Sequence, residues 1–219
     1  MKIRLTCRLP ACIPRKGAAV KRDTGHSRTQ AERRAETRAA LIAAGRALFA
    51  ERGFAAAGRE DIVERAGLTR GALYHHFSSK EDLFEAVYEE VEGELCEAIA
   101  VAAMAAADPV EQLRLGALSF LDAAATPEVR RIVLLDAPAV LPVEVRRALA
   151  ERYGLGMVRE ALRGAERGGR LPLGPVDELA LVVMAALHEA ATSIADGADA
   201  TSMRAVVEGL LATITAPAA

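Results

Sequence analysis

Between Gly67 and Phe84 the chain reads GLTRGALYHHFSSKEDLF, and its two turn signals constrain the fold more than any other feature. Gly67 and Leu68 make the short connection between crossed helices that a helix-turn-helix requires, and Ser78-Ser79 opens the next helix. With Thr69 as cap, about 100° per residue places Arg70, Gly71, Tyr74 and His75 on one arc of about 140°, with Ala72, Leu73, His76 and Phe77 on the other. One face carries donors and an aromatic ring; the other can enter a core.

Nothing in the chain competes with an all-α class. Hydrophobic residues make up 52% of the 219 positions, aromatics only 4%, Trp is absent, and no run of alternating β-branched residues occurs. The net charge of −2 conceals a division: residues 1–80 carry 17 Lys+Arg against 7 Asp+Glu, and the remainder carries 11 against 23. Only the first part is expected to meet a polyanion. Cys7, Cys12 and Cys96 lack zinc-type spacing and cannot all pair internally, which fits a reducing interior and a cytoplasmic location. Residues 1–28, with eight basic residues and no sustained apolar period, read as a flexible basic arm, an organelle-targeting segment being the alternative. No stretch has the roughly 20 uninterrupted apolar residues that span a bilayer.

The spacing predicts a helix from Thr29 to about Arg52, with the stripe Leu41, Ile42, Gly45, Leu48 and Phe49 inward and Gly53 as its stop. A short helix follows over Gly58–Ala66, with Ile62 and Val63 inward. Ser78 or Ser79, with Asp82, caps a helix from Lys80 to near Ala106 that carries Leu83, Phe84, Val87, Tyr88, Val91, Leu95 and Ile99. At about 1.5 Å per residue it reaches roughly 40 Å, long enough to leave one domain and enter another. Further helices are expected at 109–124, 127–136, 143–168, 175–196 and 199–215, divided by Pro, Gly and Asp signals that include Pro172. The last two are apolar on more than one face, as a dimer surface requires.

Residues 38–84, RAALIAAGRALFAERGFAAAGREDIVERAGLTRGALYHHFSSKEDLF, resemble the DNA-binding domain of the TetR family of bacterial transcriptional regulators. With residues 1–28 read from their composition as an arm, the resemblance implies a helix-turn-helix domain over 29–79 and a helical ligand-binding and dimerisation domain over 80–219. It makes Thr69, Arg70, Gly71, Tyr74 and His75 groove-facing and Lys80 a phosphate contact. The helical wheel reaches the same face for Arg70, Gly71, Tyr74 and His75. Arg pairs bidentately with guanine, Gly admits close backbone approach, and Tyr and Thr hydroxyls reach phosphates. At Ala57 and Gly58 the family usually offers Thr or Ser; here Gly58 caps only by its backbone and Arg59 is the candidate to replace the lost phosphate contact.

The adjacent His75 and His76 point about 100° apart and do not chelate together, so no metal is expected, nor any cofactor or catalytic residue. Cys96 reads as a small buried apolar residue, with redox sensing the alternative. Asp136, directly after Val133, Leu134 and Leu135, either lies near an interior or pairs with Arg130 or Arg131 at the surface. Helix phase brings Phe120, Leu135, Tyr153, Met157 and Met184 into question as the walls of a cavity with His188 or Asp136 as its polar contact; each of the five could equally fill a core.

The function expected is that of a dimeric regulator bound to a near-palindromic duplex operator, most simply a repressor released by a small apolar ligand. Two other classes compete. A small helical enzyme acting on an acyl or aromatic compound would use His188 with Asp136 or Glu189, but no nucleophile elbow, metal set or phosphate loop supports it. A nonspecific DNA-coating protein would need only the Arg-rich arm.

Overall fold

The computed structural model describes residues 29–170 and 174–216. The basic segment 1–28, with Cys7, Cys12 and His26, lies outside the described residues, as does Pro172. Among the described residues every regular element is helical.

Helix α1 (Gln30–Ala56) starts on a capping box: the Glu32 N–H donates to Thr29 Oγ1 at 3.2 Å and the Thr29 N–H to Glu32 Oε2 at 2.7 Å. Its stripe Leu41, Ile42, Gly45, Leu48 and Phe49 is buried. Gly53, at φ +80°, breaks the helical path, and the chain makes one further turn before Ala57. A Cβ there would also collide with the guanidinium of Arg131. Helix α2 (Arg59–Ala66) ends at Gly67 in the left-handed region, φ +65°, which is how so short a connection turns the chain into α3 (Arg70–His76). Thr69 caps α3, and Leu73 and Phe77 enter the core.

Helix α4 (Lys80–Ala103) begins at Ser79, whose hydroxyl accepts from Asp82 N at 3.0 Å, while the Asp82 carboxylate accepts from Ser78 N at 2.8 Å. The rings of Phe49, Phe54 and Phe84 meet at centroid distances of 5.7, 5.2 and 5.2 Å, a cluster that locks α1 to the start of α4. The far end of α4 packs on α5 (Pro109–Ala124), and α5 in turn on α9 (Gly156–Arg167), α10 (Val176–Ala195) and α11 (Ala200–Ile214).

Two expected helices are not regular. Between α6 (Pro127–Val129) and α7 (Ala137–Val140) the chain forms a π-helix over Arg130–Asp136, and between α8 (Val143–Ala150) and α9 another over Glu151–Leu155. A π turn spreads its residues over a wider ring, so the side chains within it do not follow the phase of an α-helix. Helix α10 holds no uninterrupted apolar run of spanning length, although by length and mean hydropathy alone, 1.4, it is apolar enough to cross a membrane, as the core helix of a water-soluble domain can be. Only part of it is buried within the chain: Leu181 and Val182 on α10, with Val206 and Leu210 on α11, stand 56%, 58%, 65% and 39% exposed.

Candidate nucleic-acid interface and ligand cavity

Arg70, Gly71, Tyr74 and His75 all face outward from α3, and Tyr74 is 46% exposed. Thr69 Oγ1 accepts from Ala72 N at 3.3 Å, which leaves its own proton free to donate outward. Arg59, on the first turn of α2, donates from Nη1 to the Tyr74 hydroxyl at 2.8 Å, so a cation and a phenol form one patch across the two helices. The Arg70 guanidinium pairs with Glu60; both side chains are 65% exposed, and a pair so open to water is weak enough to exchange for a nucleic-acid partner. A Cβ on Gly71 would meet only Thr69 Oγ1, at 3.9 Å, so the free protein does not itself demand glycine there. At Gly58 the missing side-chain cap is compensated from the other direction: the Asp61 carboxylate accepts from Gly58 N at 3.2 Å.

Lys80 is placed otherwise than expected. Its ammonium turns inward and donates to the carbonyls of Phe54, at 2.8 Å, and Ala57, at 3.2 Å, with Nζ 4.1 Å from the centre of the Phe54 ring. The carbonyls released where Gly53 breaks α1 need a donor, and Lys80 at the N-terminus of α4 supplies it. The residue joins the end of α1 to the start of α4 instead of pointing at a phosphate.

In the second half of the chain, α4, α5, α9 and α10 line a partly open cavity of about 110 Å³. On the scale of roughly 10–15 Å³ for one water, it holds several waters or a small organic molecule. Phe120, Met157, Met184 and His188 line it, with Leu95, Ile99 and Leu113 among the other walls. Leu135, Asp136 and Tyr153 do not. Leu135 and Asp136 lie in the first π-helix and Tyr153 in the second, so a phase counted at 100° per residue misplaces all three, whereas the four that line the cavity sit on regular α-helices. The Tyr153 hydroxyl points to Glu89 Oε1, at 3.3 Å.

Asp136 is a structural clamp. Its Oδ2 accepts from the backbone N–H of Phe54 at 2.7 Å and from Arg131 Nε at 3.2 Å, tying the broken end of α1 to the second half of the chain. A second tie runs through Arg46 on α1, which reaches Glu90 (3.0 Å) and Glu94 (2.7 Å) on α4 and Glu128 (2.7 Å) on α6. The guanidinium holds the Glu128 carboxyl below its ordinary pKa.

The sequence reading missed the buried acid of the cavity. Glu92 on α4 is 5% exposed and lines the cavity; burial pushes its carboxyl up to about 7, against an opposing hydrogen bond from Tyr88. Its position was legible in principle: Tyr88, Glu92 and Cys96 repeat every fourth residue alongside the apolar stripe, a spacing that puts them on one face whatever their charge. Across the cavity the His188 ring lies 5.5 Å from the Phe120 ring and tilted 44° to it, and burial holds its imidazole below the ordinary pKa against an opposing hydrogen bond to the Met184 carbonyl.

Known proteins resemble both halves. Residues 41–87 match the model of bacterial regulatory proteins of the tetR family, and residues 110–216 that of the tetracyclin repressor-like C-terminal domain. A solved TetR-family transcriptional regulator from Pectobacterium atrosepticum is 35% identical with a TM-score of 0.70, covering 85% of this chain and 95% of its own. The HTH-type transcriptional activator FasR of Mycolicibacterium smegmatis is 36% identical over 89 residues, 41% of each chain, and the HTH-type transcriptional regulator AcrR of Shigella flexneri 33% over 100 residues, 45% of this chain and 46% of its own. The chain thus spans less than half the length of these curated relatives. Recognition helix, helical second half and near-complete overlap with a solved relative agree: the chain belongs to the TetR family of helix-turn-helix transcriptional regulators, and not to an enzyme family.

Proposed function

We propose that the chain is a dimeric, sequence-specific repressor that a small, largely apolar molecule releases from a near-palindromic operator. The observation that carries this reading is the course of α4. Its first residue, Lys80, holds the end of α1, and its second half lines the cavity through Glu92, Leu95 and Ile99. A rigid element shared by both ends can convert filling of the cavity into a change in recognition-helix spacing. We place the domain boundary along it. Ligand preference for the DNA-incompetent arrangement by about 1–3 kcal/mol is sufficient for release.

Thr69, Arg70, Gly71, Tyr74, His75 and Arg59 form the DNA-facing set in this reading, with Lys80 as its support. The exposed Leu181, Val182, Val206 and Leu210 supply the apolar surface for a second copy. A chromosomal operator places the protein in the cytoplasm.

The test is selection of bound sequences from random duplex DNA, followed by titration of small molecules against the preformed complex. Selected sites should be near-palindromic, with half-sites about one helical turn apart, and should resist competition by unrelated DNA. Selection of no sequence above background would reject the reading in favour of a nonspecific DNA-coating protein.

A further inference from the structure

The polar groups of the cavity favour one ligand chemistry. Glu92 is 5% exposed, and among the described residues no group donates to its Oε2. Tyr88, one turn earlier on α4 and itself 4% exposed, hydrogen-bonds the carboxyl. A buried carboxylate oxygen without a donor is costly, and an apolar residue of similar size would remove that cost, so its retention inside a cavity needs a reason. His188, on the opposite wall, has one ring N–H committed to the Met184 carbonyl; in the neutral imidazole that burial favours, its other nitrogen is an acceptor.

The cavity therefore presents acceptors and lacks cations. Among the described residues that line it there is no Lys or Arg, and its second acid, Glu160, is held by Arg167 Nη2 at 3.1 Å. Arg146, whose charge is felt at Tyr88 and His188, is not part of the lining; its Nε donates to the Leu141 carbonyl at 3.4 Å. Gln112 also borders it, its Nε2 committed to the Ala106 carbonyl at 3.0 Å, and the rest of the wall is largely apolar, with Leu95, Ile99, Leu113, Phe120, Met157 and Met184 around Glu92 and His188. An anionic head would be stripped of water against an acid with no cation to meet it.

Resting on the reading of this cavity as the effector site, we propose that its ligand is a cationic amphiphile: a compact apolar body carrying one protonated amine, which donates to Glu92 Oε2 and to the free nitrogen of His188. A charge-assisted bond in a water-poor site discriminates more sharply than a neutral one. The carboxyl near its midpoint at neutral pH is prepared to ionise as the ammonium arrives.

Three probes of equal chain length isolate the head group: octylamine, 1-octanol and octanoate, each titrated by calorimetry into the full-length protein at pH 7. We expect octylamine to bind at least about tenfold more tightly than either of the others, as one charge-assisted bond provides. It should release about half a proton per site, read from the dependence of the heat on buffer ionisation, because a carboxyl with a pKa of about 7 is half protonated there. Glu92→Gln should abolish both the preference and the proton release while leaving 1-octanol affinity within about threefold, since Gln keeps the shape and loses the charge. Glu92→Met serves as a second variant in which no acceptor remains. Octanol or octanoate binding as tightly as the amine, or an amine preference that survives both variants, overturns the ligand class and leaves the effector cavity standing. Absence of binding by all three probes at millimolar concentration overturns the cavity as a ligand site as well.

Discussion

Asp136 offers the most direct test of how the two halves of this regulator are joined. Its Oδ2 accepts from Phe54 N at 2.7 Å, and that N–H is available only because Gly53, at φ +80°, has broken the ladder of α1. Removing the carboxylate by Asp136→Ala leaves the amide without its acceptor, a loss of about 1.5–3 kcal/mol for a bond to a charged group. The second bond, from Arg131 Nε at 3.2 Å, adds less, because the Arg131 side chain is 39% exposed and well solvated; we assign it under about 1 kcal/mol. The expected total is about 1.5–4 kcal/mol, or roughly 3–16 °C in melting temperature for a chain of this size. Asp136→Asn retains an acceptor oxygen without the charge and should lose about half as much. Urea unfolding at pH 7 measures both variants, and a double-mutant cycle with Arg131→Ala should return a coupling under about 1 kcal/mol. A loss below about 0.5 kcal/mol for Asp136→Ala would show that the clamp is not a significant stabilising contact and would refute the reasoning.

Three further outcomes follow from the same structure. Lys80→Met should lower stability by about 1–3 kcal/mol in the absence of DNA, because two carbonyls lose a charged donor; a variant as stable as the parent but weak on DNA would restore the direct phosphate role. Gly71→Ala should leave urea unfolding unchanged, since the added methyl meets nothing closer than 3.9 Å, yet weaken operator binding in a gel-shift assay; unchanged affinity would remove Gly71 from the interface. The pH dependence of stability should carry a distinct contribution from Glu92, whose carboxyl is raised from 4.5 to about 7 by folding. Between those values the unfolded chain ionises while the folded one keeps its proton, so this contribution falls by about 3 kcal/mol as pH rises and levels off above about 7. Glu128, held below its ordinary pKa by Arg46, acts in the opposite sense, its contribution being lost on acidification. The difference between parent and Glu92→Gln in unfolding free energy from pH 4 to 8 isolates the Glu92 part, and a flat difference would contradict it.

The sequence by itself determined what depends on neighbours a few residues apart. Thr29 with Glu32, Thr69, and Ser79 with Asp82 are caps whose partners lie within a turn, and each forms where the spacing requires. Gly53 and Gly67 break the chain because only backbone freedom is at issue, and the outward arc of Arg70, Gly71, Tyr74 and His75 follows from helical phase over less than two turns. What only the tertiary structure decided involves partners distant in the chain. Asp136 meets Phe54 across 82 residues and Lys80 meets Phe54 across 26, so neither contact leaves a local pattern. The π turns at Arg130–Asp136 and Glu151–Leu155 altered the phase from which Leu135, Asp136 and Tyr153 had been assigned to the cavity. Glu92 was passed over because a charged residue on a helix is ordinarily solvated; the packing of α5 and of the two π-helices against α4 buries it, and that burial turns a surface-type residue into a polar centre of the cavity.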